Sequence, residues 1–252
     1  MSMLQVEGLT KVFGGLRAID DLSFTIRPGH VHSVIGPNGA GKTTLFNLIT
    51  GVYQPSAGRV LMEERDLGGL AVYERAALGM SRTFQNLQIC MNMTALENVM
   101  LGRHLKLDRR FVPALLRLPG VVRGDRQARE RCAELMDYVG LGRYINTEAS
   151  AMPYGALKRL EIARSLASEP KLLLLDEPAA GLNATETAEL DEVIHKLGEA
   201  GVTVVLVEHD MKLVMNISEH IVVLNYGKKL AEGTAQEIRR NPDVIAAYLG
   251  AA

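Results

Sequence analysis

The chain has 252 residues, of which 47% are hydrophobic and 23% are charged, a composition typical of a folded globular protein and not of a disordered one. The 28 Lys and Arg residues nearly balance the 29 Asp and Glu residues, so the net charge of −1 gives no electrostatic reason to expect a nucleic acid as partner. No stretch reaches the ~18 uninterrupted apolar residues of a membrane-spanning helix, and the cysteines form no CxxC pair, so we expect a reduced, intracellular protein that is neither exported nor membrane-spanning by itself.

The first segment of the chain has the pattern of antiparallel strands. Leu22, Phe24 and Ile26 alternate with polar neighbours, and the alternation stops at Pro28 and Gly29, a typical turn pair. This pattern predicts a half-buried strand closed by a turn. We therefore expect an antiparallel β subdomain at the start of the domain.

A strand, a glycine-rich loop and a helix are predicted in succession between residues 31 and 50. The run VHSVI predicts the strand, and the helical spacing of the later apolar residues ends at Gly51, a typical residue just past a helix. The loop GPNGAGKT matches the phosphate-binding pattern G-x-x-x-x-G-K-[ST] in the strand-to-helix context that the pattern requires. The residues assigned to phosphate binding are Gly36, Pro37, Asn38, Gly39, Ala40, Gly41, Lys42, Thr43 and Thr44.

The chemistry of this loop suits a nucleoside triphosphate. Its glycines allow backbone N–H groups to converge on phosphate oxygens, and the helix N-terminus adds positive partial charge. We expect Lys42 to reach the β- and γ-phosphates and the Thr43 hydroxyl to ligate Mg²⁺. A chance glycine-rich turn is the alternative, and the flanking strand and helix argue against it.

A helical insertion is predicted in the middle of the chain. Apolar residues in the segment 126–139 fall on one face of a helix, and the surrounding sequence has the same helical texture. We expect one domain over residues 1–252, in which a helical subdomain over residues 85–165 separates a nucleotide-binding core over residues 1–84 from the remainder of the core over residues 166–252.

A buried strand that ends in two acids is predicted in the segment KLLLLDEP. Four leucines without polar alternation are typical of a parallel strand covered on both faces. Successive strand residues point to opposite faces, so Asp176 and Glu177 can face one ligand only if the strand ends between them, which Pro178 favours. We assign Asp176 to Mg²⁺ and Glu177 to orienting the attacking water and accepting its proton. A solvated acidic turn is the alternative.

A histidine follows a second predicted buried strand. The run VTVVLV at residues 202–207 predicts this strand, and His209 lies just beyond it, at the sheet edge that also carries the acids. A neutral imidazole there can hydrogen-bond a γ-phosphate and detect its presence. A helix cap or an ordinary loop residue is the alternative.

Residues 221–233 predict a closing hairpin.

The order of these motifs resembles that of the ATP-binding subunits of ABC transporters over essentially the whole chain. Besides the phosphate loop and LLLLDEP, the matching segments are TKVFGG, RTFQ, MPYGALKRLEIAR, GLN and EHD. The resemblance implies an α/β fold: a P-loop NTPase core with a mostly parallel sheet, an N-terminal antiparallel β subdomain and an inserted helical subdomain.

The resemblance also implies roles for single residues. Phe13 matches the aromatic residue that stacks on adenine, and Gln85 matches the glutamine that joins the core to the helical subdomain and takes part in the metal site and in catalysis. Tyr154 and Gly155 belong to the signature segment, which binds nucleotide. His209 matches the switch histidine, to which we assign a catalytic role with Glu177, Gln85 and Lys42.

Within that family, the chain resembles the branched-chain amino acid uptake group in five motifs: FGG, the YG of the signature, RLEIAR, AAGLN and YLG. The resemblance implies ATP and Mg²⁺ as cofactors, two membrane permeases, a second ATPase subunit in a head-to-tail dimer and, indirectly, a solute-binding protein, at the cytoplasmic face of the inner (plasma) membrane. ATPases of lipopolysaccharide export and of urea uptake share many of these sequence motifs, so both stay open as alternatives. So does the choice between a second copy of this chain and a paralogue as dimer partner.

The signature segment departs from the family's usual Leu-Ser-Gly-Gly-Gln. Pro153 offers a γ-phosphate neither the hydroxyl nor the backbone N–H of a serine. The loss of a charge-assisted hydrogen bond of ~1.5–3 kcal/mol would weaken ATP-driven closure unless the N–H of Gly155 and the helix start compensate. The hypothesis is a subunit with a strong phosphate loop and a weaker signature, within a heterodimer.

Gln85 and the segment 86–94 are predicted to pass motion to the membrane partner, and the apolar residues of that segment are Ile89, Cys90, Met91 and Met93. These adaptable side chains suit contact with a short permease helix, and ordinary core packing is the alternative.

Two other function classes are a P-loop kinase or GTPase and a soluble ATPase of this family that acts on nucleic acid or ribosomes. The signature segment and EHD argue against the first, and the length of the chain argues against the second.

Overall fold

The computed structural model describes residues 2–104, 106 and 119–249. The contacts within the chain divide it into two units. Met1–Arg82 and Lys171–Ala252 form the first unit, and Thr83–Pro170 form the second. The segment predicted as the helical subdomain, residues 85–165, lies within the second unit.

Two sheets make up much of the first unit. In chain order the strands are β1 (Leu4–Phe13), β2 (Leu16–Ile26), β3 (Val31–Ile35), β4 (Ala57–Met62), β5 (Arg65–Asp66), β6 (Met80–Arg82), β7 (Leu172–Asp176), β8 (Thr203–Val207), β9 (His220–Asn225) and β10 (Lys228–Gly233). The larger sheet has six strands in the order β10-β9-β3-β8-β7-β6, and the smaller has four in the order β2-β1-β4-β5.

The six-stranded sheet is parallel except at one edge. The pairs β6/β7, β7/β8, β8/β3 and β3/β9 are parallel, whereas β10 pairs antiparallel with β9. All residues of β3, β7 and β8 are buried, as their continuous apolar runs predict. The predicted hairpin is confirmed as β9 and β10, with Tyr226 and Gly227 at positive φ in the turn.

The four-stranded sheet is antiparallel, as predicted for the start of the chain. β1 pairs antiparallel with both β2 and β4. Leu22, Phe24 and Ile26 on β2 are buried, and residues between them are exposed. The side chains of this sheet share one hydrophobic core with α1 and one face of the larger sheet. The predicted α/β fold class is therefore confirmed.

Helices flank the sheets in the first unit and make up most of the described second unit. In chain order they are α1 (Lys42–Thr50), α2 (Val72–Ala77), α3 (Ala95–Gly102), α4 (Pro119–Tyr138), α5 (Tyr154–Leu166), α6 (Ala184–Glu199), α7 (Met211–Ile217), α8 (Ala235–Arg240) and α9 (Pro242–Leu249), with 3₁₀ turns at Gly142–Tyr144 and Ala149–Ala151. Among the described residues, no helix combines the length and hydrophobicity that crossing a bilayer requires.

Two predicted helix features are confirmed in these elements. α1 ends at Gly51, whose φ of +85° is the left-handed conformation expected of a residue just past a helix. On α4 and just beyond it, Ala128, Cys132, Met136 and Val139 are buried, so the apolar face predicted from the segment 126–139 lies in the interior of the second unit.

Candidate nucleotide-binding site

Three loops with predicted functional residues lie at one edge of the six-stranded sheet. β3, β8 and β7 are adjacent and parallel, so their carboxyl ends lie at the same edge. The phosphate loop follows β3, the DEP segment begins at the end of β7, and the EHD segment follows β8. Open α/β sheets bind their ligands at this edge.

Close backbone approaches require glycine at two positions of the phosphate loop. A Cβ atom on Gly36 would lie 2.2 Å from the carbonyl oxygen of Leu224, and one on Gly41 would lie 2.6 Å from the carbonyl oxygen of Ala18. Gly41 also has a φ of +104°, where side chains are strained. The loop is therefore packed against β9 and β2 at distances that only glycine allows.

Lys42, the first residue of α1, is buried beneath the phosphate loop. Its Nζ atom donates hydrogen bonds to the carbonyl oxygens of Gly36, at 2.6 Å, and Pro37, at 3.1 Å. Burial lowers the pKa of the Lys42 ammonium, and the negative charges of Glu177 and Asp176 act to raise it. The ammonium is thus held at the loop and lies within the electrostatic reach of both predicted acids.

The two acids are separated by the end of β7, as the sequence predicts. Asp176 is the last residue of β7 and is buried, whereas Glu177 leaves the strand with a φ of +46°. The backbone N–H of Glu177 donates to the carbonyl oxygen of Val207 at the end of β8, at 2.9 Å. The left-handed turn removes the strand alternation that would otherwise point the two side chains to opposite faces.

Arg82, which the sequence analysis did not single out, forms an ion pair with Asp176. Its Nη2 atom lies 2.7 Å from Oδ2 of Asp176, and only 6% and 5% of the two side chains are exposed. Nη1 of Arg82 donates to Oδ1 of Asn47, at 2.7 Å, and to Oγ1 of Thr50, at 3.2 Å, both on α1. The sequence gives no local signal for this contact, because the ion pair joins residues far apart in the chain.

Glu208 is a second residue that the sequence analysis missed. Its side chain is buried, and its Oε1 atom accepts a hydrogen bond from the N–H of Ala179, at 2.8 Å, while Oε2 accepts one from the N–H of His209, at 3.0 Å. Burial raises the pKa of the Glu208 carboxyl, and these hydrogen bonds act in the opposite direction. Glu208 thus joins the loop after Glu177 to the loop of His209, whose imidazole is largely exposed. The sequence signal that could have identified Glu208 is the position of a charged residue directly after an apolar run.

Phe13 lies at the end of β1 with 40% of its surface exposed. Its ring packs edge-on against Tyr53, with 5.3 Å between the ring centroids, and Nζ of Lys11 lies 5.0 Å from the Phe13 centroid. An exposed aromatic ring held in this way can stack on a planar base.

The side chains near the phosphate loop suit a hard divalent cation that is shared with phosphates. The carboxylate of Asp176 and the hydroxyl of Thr43, an exposed residue, are oxygen donors of the kind that Mg²⁺ prefers. No cluster of three or more His, Cys, Asp or Glu side chains suited to a metal occurs in the part of the chain that the structure describes. This donor set fits Mg²⁺, which is commonly bound through one or two protein oxygens together with substrate phosphates.

The other predicted site residues belong to the second unit. α5 begins at Tyr154, and Pro153 occupies the preceding cap position without a side-chain hydrogen bond to the helix. Gly155 is buried, whereas Tyr154 and Gln85 are exposed. The missing serine hydroxyl therefore leaves the start of α5 without a side-chain cap.

Charged residues of α5 bind the backbone of the segment that begins at Gln85. Nζ of Lys158 donates to the carbonyl oxygen of Gln85 at 3.2 Å, and Arg164 donates to the carbonyl oxygen of Gln88. Glu161, which is buried, accepts a hydrogen bond from the N–H of Gln88 at 3.4 Å. The helix that carries the signature thus holds the segment predicted to contact a membrane partner.

Comparisons with known proteins identify the family of the chain. The family model for ABC transporters matches residues 19–180, and the model for branched-chain amino acid ATP-binding cassette transporters matches residues 228–252. The chain is 48% identical to the high-affinity branched-chain amino acid transport ATP-binding protein BraF of Pseudomonas aeruginosa, over 99% of this chain and 98% of that protein.

Solved structures of ATP-binding cassettes have the same fold. One, described as the ADP conformation of an ATP-binding cassette of an ABC transporter, has a TM-score of 0.87 and 30% identity, with 99% of each chain covered. Another, a dimeric post-hydrolysis cassette bound to ADP and Pi, has a TM-score of 0.75 and 27% identity, covering 92% of this chain and 99% of that one. The chain therefore belongs to the ABC transporter family, as one of the nucleotide-binding ATPases of its branched-chain amino acid group.

Proposed function

We propose that this chain binds ATP with Mg²⁺, hydrolyses it to ADP and phosphate, and so drives uptake of branched-chain amino acids through membrane permeases. The observation that carries the proposal is that the phosphate loop, the DEP segment and the EHD segment follow three adjacent parallel strands at one edge of the sheet. The names of the relatives favour this solute class over lipopolysaccharide export or urea uptake.

Nucleotide binding is assigned to the phosphate loop and its neighbours. Backbone N–H groups of the loop hold phosphate oxygens, and Lys42 exchanges its carbonyl partners for the β- and γ-phosphates. Phe13 stacks on the adenine ring. Thr43 and Asp176 would hold Mg²⁺, which when bound would neutralise charge on the β- and γ-phosphates.

Hydrolysis is assigned to Glu177 and His209. Glu177 orients a water molecule and accepts its proton as the water oxygen bonds to the γ-phosphorus and the bond to the β-phosphate oxygen breaks. His209 donates a hydrogen bond to the γ-phosphate. Glu208 supports this arrangement, because it bonds backbone groups of both loops that carry these side chains.

A head-to-tail dimer completes the proposed site. Tyr154 and Gly155 bind the nucleotide held by the phosphate loop of the other ATPase subunit, and a related cassette bound to ADP and Pi is dimeric. Loss of the γ-phosphate separates the two halves, so the ligand charge shifts the equilibrium between closed and open states. Because Pro153 weakens the signature, we assign this chain to a heterodimer with a second ATPase.

The complete proposed assembly has two permeases, the second ATPase and, indirectly, a solute-binding protein. This chain is peripheral, at the cytoplasmic face of the inner membrane, and segment 86–94 contacts a permease helix. Met91, 42% exposed, provides an adaptable apolar contact there.

Affinity capture from detergent-solubilised membranes tests the assembly. The tagged chain is expected to elute with two permeases and a second ATPase, and a Met91→Asp variant is expected to lose the permeases while it keeps nucleotide binding. Recovery of the tagged chain from the membrane-free fraction alone, without a permease, would contradict the proposal.

A further inference from the structure

A buried arginine links the carboxylate of Asp176, which is predicted to bind the metal, to the helix that follows the phosphate loop. Arg82, the last residue of β6, reaches Asp176 at the end of β7 and, with its other terminal nitrogen, Asn47 and Thr50 on α1. Its guanidinium carbon also lies 5.5 Å from the ring centroid of Phe46, on the same helix. One cation therefore contacts the strand that carries Asp176 and the helix that carries Thr43.

These contacts are specific to arginine. A guanidinium is planar, stays charged at every physiological pH and presents several N–H donors in a fixed geometry, so one group can bind a carboxylate and two side-chain oxygens at once. A lysine ammonium supplies the charge without the planar arrangement. The Arg82 side chain is 6% exposed, and its contacts with Asn47 and Thr50 on α1 hold the guanidinium beside Asp176.

We propose that Arg82 is a positioning residue that orients the Asp176 carboxylate toward the divalent cation bound with the nucleotide, an inference that rests on the proposed ATP and Mg²⁺ site. A carboxylate has two oxygens and about four acceptor directions, so it can accept from Arg82 and ligate a cation together. Carboxylates that bind metals are commonly held by such outer contacts, and their loss typically weakens metal affinity 10- to 100-fold.

A competing role for Arg82 predicts the opposite change in metal affinity. If the guanidinium instead acted as a counterion that the metal must displace, its removal would strengthen metal binding. A role in folding alone would change nucleotide binding equally with and without metal. The dependence of nucleotide binding on Mg²⁺ therefore separates the three roles without any measurement of hydrolysis.

The experiment uses the full-length chain and a fluorescent ADP analogue. The dissociation constant of the analogue is measured in EDTA and across a Mg²⁺ titration for wild type, Arg82→Met and Arg82→Lys. Arg75→Met is the matched control, because Arg75 is also buried and also contacts α1, but through the carbonyl oxygens of Leu48 and Ile49 at its far end.

The expected result is a shift in the metal requirement. Arg82→Met should raise the Mg²⁺ concentration of half-maximal effect about tenfold, with binding in EDTA unchanged within about twofold, and Arg82→Lys should fall between this variant and wild type. Arg75→Met should leave the Mg²⁺ midpoint at its wild-type value, whatever it does to stability.

Several outcomes would overturn the inference. An unchanged or lowered Mg²⁺ midpoint in Arg82→Met, or an equal loss of affinity in EDTA and in Mg²⁺, contradicts the positioning role. If Arg82→Met does not fold by circular dichroism, the midpoint of Arg82→Lys decides by the same criteria. A wild-type chain that does not bind the ADP analogue at all would instead refute the proposed function itself.

Discussion

Glu177 has a left-handed backbone directly after a buried strand. Its φ of +46° places a non-glycine residue in a region that costs roughly 1–3 kcal/mol, and such strain persists only where the surrounding structure fixes it. Here the N–H of Glu177 bonds Val207 and its carbonyl oxygen accepts from Ala180. This strained turn ends the alternation of strand side chains, so the Glu177 carboxylate need not point to the face opposite Asp176. The proposed role of Glu177 beside Asp176 requires this.

The assignment of Glu177 as the residue that accepts the proton of the attacking water predicts how Glu177→Gln changes the rate of hydrolysis. An amide of the same shape cannot accept the proton of the attacking water, so hydrolysis should slow ~10²–10⁴-fold, about 3–5 kcal/mol in the barrier. Nucleotide affinity should stay within a few-fold of wild type, as measured with the fluorescent ADP analogue. Glu186→Gln, at the start of α6, is the control. Turnover of Glu177→Gln near the wild-type rate would refute the role.

The cap position of α5 allows a second test at a single residue. Serine in Pro153→Ser would provide the side-chain acceptor that the start of α5 lacks, and a hydroxyl and an N–H that a γ-phosphate can use. The ATPase rate of the assembled complex should rise about tenfold, since one such hydrogen bond contributes ~1.5 kcal/mol. Pro242→Ser, at the start of α9, controls for the loss of a proline. An unchanged rate in Pro153→Ser would remove the weak-signature hypothesis.

At the scale of elements, α5 links the signature to the predicted membrane contact. Its residues Lys158, Glu161 and Arg164 fall at three-residue spacing, so they lie along one side of the helix and contact the backbone from Gln85 to Gln88. A displacement of α5 would therefore move this segment with it. The proposed path from nucleotide to permease uses this link.

Arg164→Met tests the link by removing a donor to the Gln88 carbonyl. Backbone amides of residues 86–91 should exchange with deuterium at least about threefold faster, because the segment then opens locally more often, while the amides of β7 keep the wild-type rate. Arg143→Met, at an exposed arginine of the same unit, should leave both unchanged. Equal exchange of residues 86–91 in Arg164→Met and wild type would contradict the link.

The elements that the sequence predicted well are those whose patterns are local. Continuous apolar runs indicated β3, β7 and β8, and Gly51 marked the end of α1. β6, only three residues long, carries no such pattern and exists because it pairs with β7 at the sheet edge. Arg82 and Glu208 were missed for a related reason: a charged residue is predicted to be exposed unless its partner, distant in sequence, is known.

At the scale of the whole molecule, the parallel order of β3, β8 and β7 brings the phosphate loop, the two acids and the loop of His209 to one edge of the sheet. The phosphate loop, the acids and His209 lie far apart in sequence, and the sequence could place them together only through the rule that parallel strands share their carboxyl ends. The proposed asymmetry between this chain and a second ATPase rests on Pro153, which gives the start of α5 no side-chain cap.

ATP-driven uptake by the reconstituted complex tests the central claim most directly. The complex captured with this chain is placed in liposomes with its solute-binding protein, and uptake of radiolabelled leucine is measured with ATP on the side of the ATPase subunits. We predict accumulation of leucine that requires ATP and Mg²⁺, is reduced by excess valine and isoleucine, and falls at least about tenfold when this chain carries Glu177→Gln. Hydrolysis of ATP without leucine uptake, or uptake unaffected by Glu177→Gln, would contradict the account.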